Sequence, residues 1–212
     1  MLPNQKLNAN YGDYLMEMLP HSIYSAVSTA HGDITLVIPR SSLKEVLLFL
    51  RDHTSCQYKS LVDICAVDYL SRSEGRFDVV YQLLSVNYNA RITVKVATNE
   101  LEPLDSVTSI YSSAGWYERE VWDMYGIFFS NHPDLRRILT DYGFDGHPLR
   151  RDYPLTGFTE IRYDEVEKRI VTEPLELAQE FRTFDFTSPW DQTVSPDLVE
   201  TTKITESDKG SN

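Results

Sequence analysis

Two histidines fifteen residues apart, His132 and His147, stand among Asp134, Asp141, Asp145 and Asp152. Imidazole and carboxylate together can hold a divalent metal, and His132, His147 and Asp134 would be the set for a metal-dependent hydrolase. The local sequence fits a plainer reading better. His132-Pro133 and His147-Pro148 read as paired turn entries, because proline fixes its own φ and holds the preceding residue extended. Asp134 then falls in the first turn of an expected short helix, with Leu135, Ile138 and Leu139 facing inward. His21, His31 and His53 have no neighbours that suggest a role.

A second unusual stretch is Gly115-Trp116-Tyr117-Glu118-Arg119-Glu120-Val121-Trp122-Asp123-Met124-Tyr125-Gly126. As a helix it has one apolar stripe, Tyr117, Val121, Met124 and Tyr125, with Trp122 about 100° away. Two readings are open. The helix lies wholly within one domain, with Arg119 and Asp123 as a surface pair at i, i+4, or it touches apolar material on two sides. Arginine doublets follow at Arg136-Arg137 and Arg150-Arg151 around Tyr142 and Phe144. Guanidinium beside aromatic rings is the composition of interface anchors. Further on, Phe181, Phe184, Phe186 and Trp190 lie in an extended, proline-punctuated segment that cannot bury them against itself; it must lie on its own domain or on another chain.

Several chemistries are absent. The nine glycines form no phosphate-binding loop, and there is no H-E-x-x-H, G-x-S-x-G or cysteine cluster. Cys56 and Cys65 alone cannot supply the four thiolates of an iron–sulfur cluster, and their spacing matches no zinc site; they read as reduced, buried small hydrophobes. Across 212 residues, 20 basic side chains face 32 acidic ones, a net charge of −12 that argues against nucleic acid as a partner. The longest apolar run, Val46 to Leu50, is too short to span a membrane. The first arginine is Arg40, so no arginine-rich presequence is expected.

The elements that must position these residues come earlier in the chain. Tyr14, Leu15, Met18 and Leu19 recur at helical spacing up to Pro20. Ile23 to Thr29 and Ile34 to Ile38 read as strands around His31-Gly32-Asp33. Ser42 and Glu45 form a capping-box pattern ahead of the stripe Leu43, Val46, Leu47 and Leu50. Leu61 to Tyr69 reads as a strand; Phe77 to Leu83 and Ile92 to Val96 alternate around Asn87-Tyr88-Asn89. Asp105 is expected to cap a short helix bearing Val107, Ile110 and Tyr111. Hairpins with helices on one face predict an α+β fold with an antiparallel or mixed sheet, followed by an extended C-terminal segment. The expected divisions are an α+β domain over 1–114, a motif region over 115–157, an extended segment over 158–190 with a hairpin around Asp164 to Glu167, and a disordered tail over 191–212.

The run Glu118-Arg119-Glu120-x-x-Asp123-Met124-Tyr125-Gly126-Ile127, then His132-Pro133-Asp134-Leu135-Arg136-Arg137-Ile138-Leu139 and Gly143-Phe144-x-Gly146-His147-Pro148-Leu149-Arg150, resembles the 30-kDa (NuoC-type) subunit of respiratory complex I, NADH:ubiquinone oxidoreductase. Tyr153-Pro154-Leu155-Thr156-Gly157, Arg162-Tyr163, Glu173-Pro174 and Phe184-Asp185-Phe186-x-Ser188-Pro189-Trp190 resemble its mitochondrial members, subunit nine. Asn131 departs from many relatives, which have Gly there, and Arg151 stands where Lys is common.

The resemblance implies a subunit that carries no flavin, cluster or quinone itself, with no catalytic residues of its own. It implies a place in the peripheral arm, on the matrix side of the mitochondrial inner membrane, packed chiefly on the 49-kDa-type subunit and near iron–sulfur subunits, with the extended segment over 158–190 wrapping over neighbours. Read this way, Glu118, Arg119, Glu120, Trp122, Asp123, His132, Arg136, Arg137, His147, Arg150, Arg151, Phe181, Phe184, Phe186 and Trp190 become partner surface. The alternatives are a subunit of a ferredoxin-dependent or photosynthetic complex of the same type, and the metal-dependent hydrolase above.

Overall fold

The computed structural model describes residues 3–29, 32–72 and 75–184. Its core is built on the helical stripe expected from the sequence. Leu43, Val46, Leu47 and Leu50 of α2 (Leu43–Asp52) are all fully buried. Helix α1 (Pro3–Met18) contributes Leu15 and ends before Pro20, whose ring and missing N–H cannot continue it.

Five strands form the central sheet: β1 (Ser25–Ser28), β2 (Ile34–Ile38), β3 (Ser60–Asp68), β4 (Phe77–Ser85) and β5 (Ala90–Thr98). Their order is β1-β2-β5-β4-β3, with β2 and β5 parallel and every other pair antiparallel. The period of two places Leu36, Val94, Tyr81 and Ile64 in one register row on the buried face. The next row, Val37, Lys95, Val80 and Cys65, faces the other way. A mixed sheet with helices against one face is the α+β fold that the patterning predicts.

Helix α3 (Ala114–Tyr125) packs along β3 and joins the same core through Ala114 and Val121. Beyond it, a short parallel pair, β6 (Leu104–Asp105) with β7 (Phe129–Ser130), stitches the chain after α3 to the chain before it, burying Leu104, Ile127 and Phe129. The folded body therefore runs through Ser130, and the division expected at residue 114 falls inside it. The hairpin expected around Asp164 to Glu167 forms from β8 (Thr159–Asp164) and β9 (Arg169–Pro174), apart from the main sheet.

Three local expectations are corrected. Ser42 makes no side-chain cap bond: a 3₁₀ turn over Arg40–Ser42 leads into α2, and Glu45 instead accepts a hydrogen bond from the Ser22 hydroxyl at 3.4 Å. Asp105 caps no helix. It sits in β6, accepts from the Ser130 hydroxyl at 2.7 Å and pairs with Lys44 at 3.5 Å. The helix expected after Asp134 is absent, and Leu139 points outward. The tip of the β1–β2 turn, Phe186, Trp190 and the tail expected over 191–212 lie outside the described residues.

Candidate functional site

Much of the sequence motif gathers around α3. The helix ends at Gly126, whose left-handed φ of 75° lets its N–H return to the Trp122 carbonyl at 2.9 Å. On the sheet side, Glu118 is 0% exposed. Its carboxylate accepts the Ser106 hydroxyl at 2.6 Å and the Val107 N–H at 2.7 Å, fixing the turn after β6. Burial raises the Glu118 pKa, and the Ser106 and Val107 bonds, then His132 and Lys44, oppose that rise without cancelling it.

Asp123 is five residues on, about 140° around the helix. It too is 0% exposed. One oxygen accepts three successive backbone N–H groups, Ile138 at 3.2 Å, Leu139 at 2.8 Å and Thr140 at 3.0 Å; the other accepts the Thr140 hydroxyl at 2.6 Å. Burial pushes its pKa up, but these bonds together outweigh it and the net shift is downward. The donors Asp123 satisfies would otherwise be orphaned, since residues 136–140 have no secondary structure of their own.

The two imidazoles stand at opposite ends of this helix. His132 meets the Gly115 carbonyl through Nε2 at 3.1 Å and accepts the Asp134 N–H through Nδ1 at 3.0 Å. With Nδ1 accepting, Nε2 is left to donate to the Gly115 carbonyl. His147 meets the Asp123 carbonyl through Nδ1 at 3.0 Å, and burial first, then the charges of Arg150 and Arg137, lower its pKa despite that bond. Gly115 and Asp123 are eight residues apart, roughly 12 Å along the helix. Asp134 turns to Arg136 at 2.8 Å, so the hydrolase set of His132, His147 and Asp134 does not assemble.

Trp122 does have apolar contacts on its second face, but they come from the same chain. Its ring meets Phe128 and His147 edge-on, at centroid distances of 6.0 and 5.7 Å. The arginines hold backbone. Arg119 donates to the carbonyls of Arg136 and Arg137 and lies over the Trp116 ring, rather than pairing with Asp123. Arg137 donates to the Gly146 carbonyl at 2.9 Å and approaches Asp123 at 3.6 Å. Arg150 donates to the Tyr125 carbonyl at 2.6 Å. The expectation of partner surface is thus corrected for Glu118 and Asp123, which are closed inside the body. His132, with its side chain 3% exposed, is closed in with them. Arg136, Arg151 and Glu120 face solvent, as do Phe181 and Phe184.

Residues not singled out in the sequence complete the arrangement. Asp68, at the end of β3, takes Arg76 in a two-bond pair at 2.8 and 2.9 Å and accepts the Arg151 N–H at 3.0 Å. The Arg76 pair holds the Asp68 carboxylate below its usual range, against the opposing effect of burial. Arg76 also reaches Asp152 and Glu100, and Glu100 reaches Arg150, so the loop's far end is clamped to the β3–β4 corner. Tyr153 meets Phe144 at a tilt and Phe158 edge-on, and lies so close to Gly146 that an added Cβ would come within 2.7 Å of its ring. The Asp68–Arg151 bond spans 83 residues, so no local spacing announces it. Asn131 adopts φ 61°, a conformation that Asn tolerates better than most residues.

This architecture is shared with known proteins. The model of the family "Respiratory-chain NADH dehydrogenase, 30 Kd subunit" matches residues 36–159. NADH-ubiquinone oxidoreductase subunit 9 of Reclinomonas americana is 55% identical over 86% of this chain and 88% of its own length. The subunit 9 of Prototheca wickerhamii is 56% identical over 88% of this chain and 96% of its own. An NADH-quinone oxidoreductase subunit of Paramagnetospirillum magneticum is 54% identical over 85% of this chain and 90% of its own. Among solved structures, a trypsin-resistant fragment (1–134) of Nqo5 superposes with a TM-score of 0.51 at 32% identity, covering 60% of this chain and 99% of the fragment. With the motif, the fold and the length of its relatives all in agreement, this chain belongs to the 30-kDa subunit family of the respiratory-chain NADH dehydrogenase.

Proposed function

We propose that this chain is a cofactor-free, non-catalytic structural subunit in the peripheral arm of the proton-translocating NADH:ubiquinone oxidoreductase. In this reading it lies on the matrix side of the mitochondrial inner membrane and supports the quinone-reducing module. Its neighbours are chiefly the 49-kDa-type subunit and the adjacent iron–sulfur subunits. One observation carries the reading: the motif's buried carboxylates and both its imidazoles are committed to backbone groups of the same chain. Side chains tied in this way hold a shape. Large apolar side chains are exposed around it, Phe128, Leu139, Tyr142, Leu155 and Phe158, with Tyr142 wholly so at 103%. A run of large exposed side chains of this kind suits a surface covered by another chain. Relatives named for ubiquinone and quinone oxidoreductases support the NADH-dependent version over a ferredoxin-dependent or photosynthetic one.

The test is Trp122→Ala in the native complex, with abundance and turnover measured separately. The variant is expected to lower the amount of assembled complex while each assembled complex retains normal NADH-to-quinone turnover. Normal abundance with slowed electron transfer would contradict a purely structural role.

A further inference from the structure

A cavity of about 420 Å³ opens at the end of the sheet from which the parallel strands β2 and β5 start, and no residue of the α3 motif lines it. Its volume is that of a small-molecule site. Tyr11 of α1, with Cys56 and Tyr58 of the segment after α2, forms the inner end. Cys56 and Tyr58 are 1% and 2% exposed. The Cys56 thiol turns to His53 Nδ1 at 3.6 Å. The Tyr11 hydroxyl is buried beside that thiol and the Tyr58 hydroxyl, yet it forms a hydrogen bond with neither. A buried phenol without a partner is costly, and this one stands where a ligand oxygen could accept from it. Burial raises the pKa of both phenols, Tyr58's to about 12, so both keep their protons.

The mouth has the opposite character. Asp33 and Arg91 immediately precede Ile34 and Ile92, which pair in the parallel register, so the two charges stand at neighbouring positions. Both residues are exposed, and neither enters an ion pair among the described residues. One carboxylate beside one guanidinium disfavours a simple anion or cation and suits a molecule carrying both signs. Between the mouth and the inner end lie Ile34 and the Tyr88 ring, whose hydroxyl is tied to the Thr54 carbonyl at 2.8 Å. Gln57, between Cys56 and Tyr58, has a left-handed φ of 47° and accepts from the Asn87 amide across the fold. For glutamine that backbone is strained, and strain of this kind gathers at ligand sites.

We propose that this cavity binds a free aromatic α-amino acid, its carboxylate on Arg91, its ammonium on Asp33 and its ring inward past Ile34 and Tyr88 toward the Tyr11 hydroxyl. Such a site is independent of the chain's place in a larger complex. Of the aromatic amino acids, tyrosine alone carries a phenol oxygen that can accept from Tyr11.

The test is titration of the full-length chain with L-tyrosine, followed by calorimetry and by the amide signals of Cys56 and Arg91. Saturable binding is expected. Tyramine, which lacks the carboxylate, and para-hydroxyphenylpropionate, which lacks the ammonium, are each expected to bind at least tenfold more weakly. Arg91→Gln and Asp33→Asn should each weaken L-tyrosine at least tenfold. The first should also end the discrimination against tyramine, and the second that against para-hydroxyphenylpropionate. Tyr11→Phe should weaken L-tyrosine several-fold and leave L-phenylalanine within twofold. Asp33 and Arg91 are exposed, so urea midpoints of their variants should match the parent's and tie any loss to the site. The absence of saturable binding at about 1 mM L-tyrosine overturns the proposal. So do analogues lacking one charge that bind as tightly as the amino acid. N-acetyl-L-tyrosine amide, the form of a residue within a polypeptide, should not compete; if it does, a peptide segment is the occupant and the proposal fails.

Discussion

Asp123 and Thr140 meet twice, through the backbone N–H at 3.0 Å and the hydroxyl at 2.6 Å, across seventeen residues of chain. With Ile138 and Leu139 donating to the same carboxylate, one buried side chain orders a loop that has no ladder of its own.

Replacing Asp123 by Ala should therefore leave three amides and a hydroxyl without their acceptor, at a cost of about 3 kcal/mol. Asp123→Asn keeps one oxygen and should lose about half as much. Urea unfolding checks both, and amide exchange should accelerate at residues 138–140 in particular.

Gly126 and Gly143 separate backbone conformation from crowding. Both have positive φ, 75° and 74°. A Cβ on Gly126 would lie 2.5 Å from the His147 ring and 2.6 Å from the Arg150 guanidinium, whereas one on Gly143 would meet nothing within 4 Å. Gly143→Ala should cost only the left-handed conformation, about 1 kcal/mol, and Gly126→Ala about 3 kcal/mol. Equal losses in urea midpoint would refute the crowding account.

The titrating groups give opposed pH dependences. Asp68 and Asp123 have lowered pKa values in the fold. Their contribution is complete above the unfolded value of about 3.9 and is lost as pH falls through the folded values. His147, also lowered, contributes fully above about 6.5 and less as pH falls below that. Glu118 is raised, so its ionisation works against the fold. Glu118→Gln can still accept from Val107 and donate to Ser106. It should be more stable than the parent at neutral pH, with the advantage vanishing below about pH 4.3. Urea midpoints from pH 3 to 8 would show this, and an advantage that persists at low pH would contradict it.

Tyr153 couples the β8–β9 ribbon to the body through Phe144 and Phe158. Tyr153→Ala should leave the urea midpoint of the body within about 0.5 kcal/mol, because these rings lie outside the main core. It should raise the rate of tryptic cleavage at Arg162 and Arg169 several-fold. An unchanged digestion pattern would show that the ribbon is anchored elsewhere.

What could be read from the sequence was whatever depends on neighbours along the chain. The α2 stripe is local, and all four of its members are buried. The β4–β5 hairpin is local too, and Asn89 takes the positive φ that its turn requires. The roles of Glu118 and Asp123 were not legible. Charged residues on a helix read as a solvated face, and the amides that draw them inward, at Val107 and at 138–140, carry no side-chain signature. The same blindness made the second face of Trp122 look like a surface for another chain when Phe128 and His147 supply it. Ser42 and Glu45 show the opposite failure. Their pattern was correct for a capping box, but a preceding 3₁₀ turn and the reach of Ser22 used the residues differently.

The succession of contacts around α3 also imposes a timetable on biosynthesis. As the chain leaves the ribosome, Glu118 finds Val107 already present, but Asp123 must wait for Thr140. At 5–20 residues per second that interval is roughly one to three seconds. Until then the carboxylate stays hydrated and the indole of Trp122 has no His147 to meet. The nascent helix thus passes through a stage with an open, half-apolar flank, until the chain through His147 has emerged to close it.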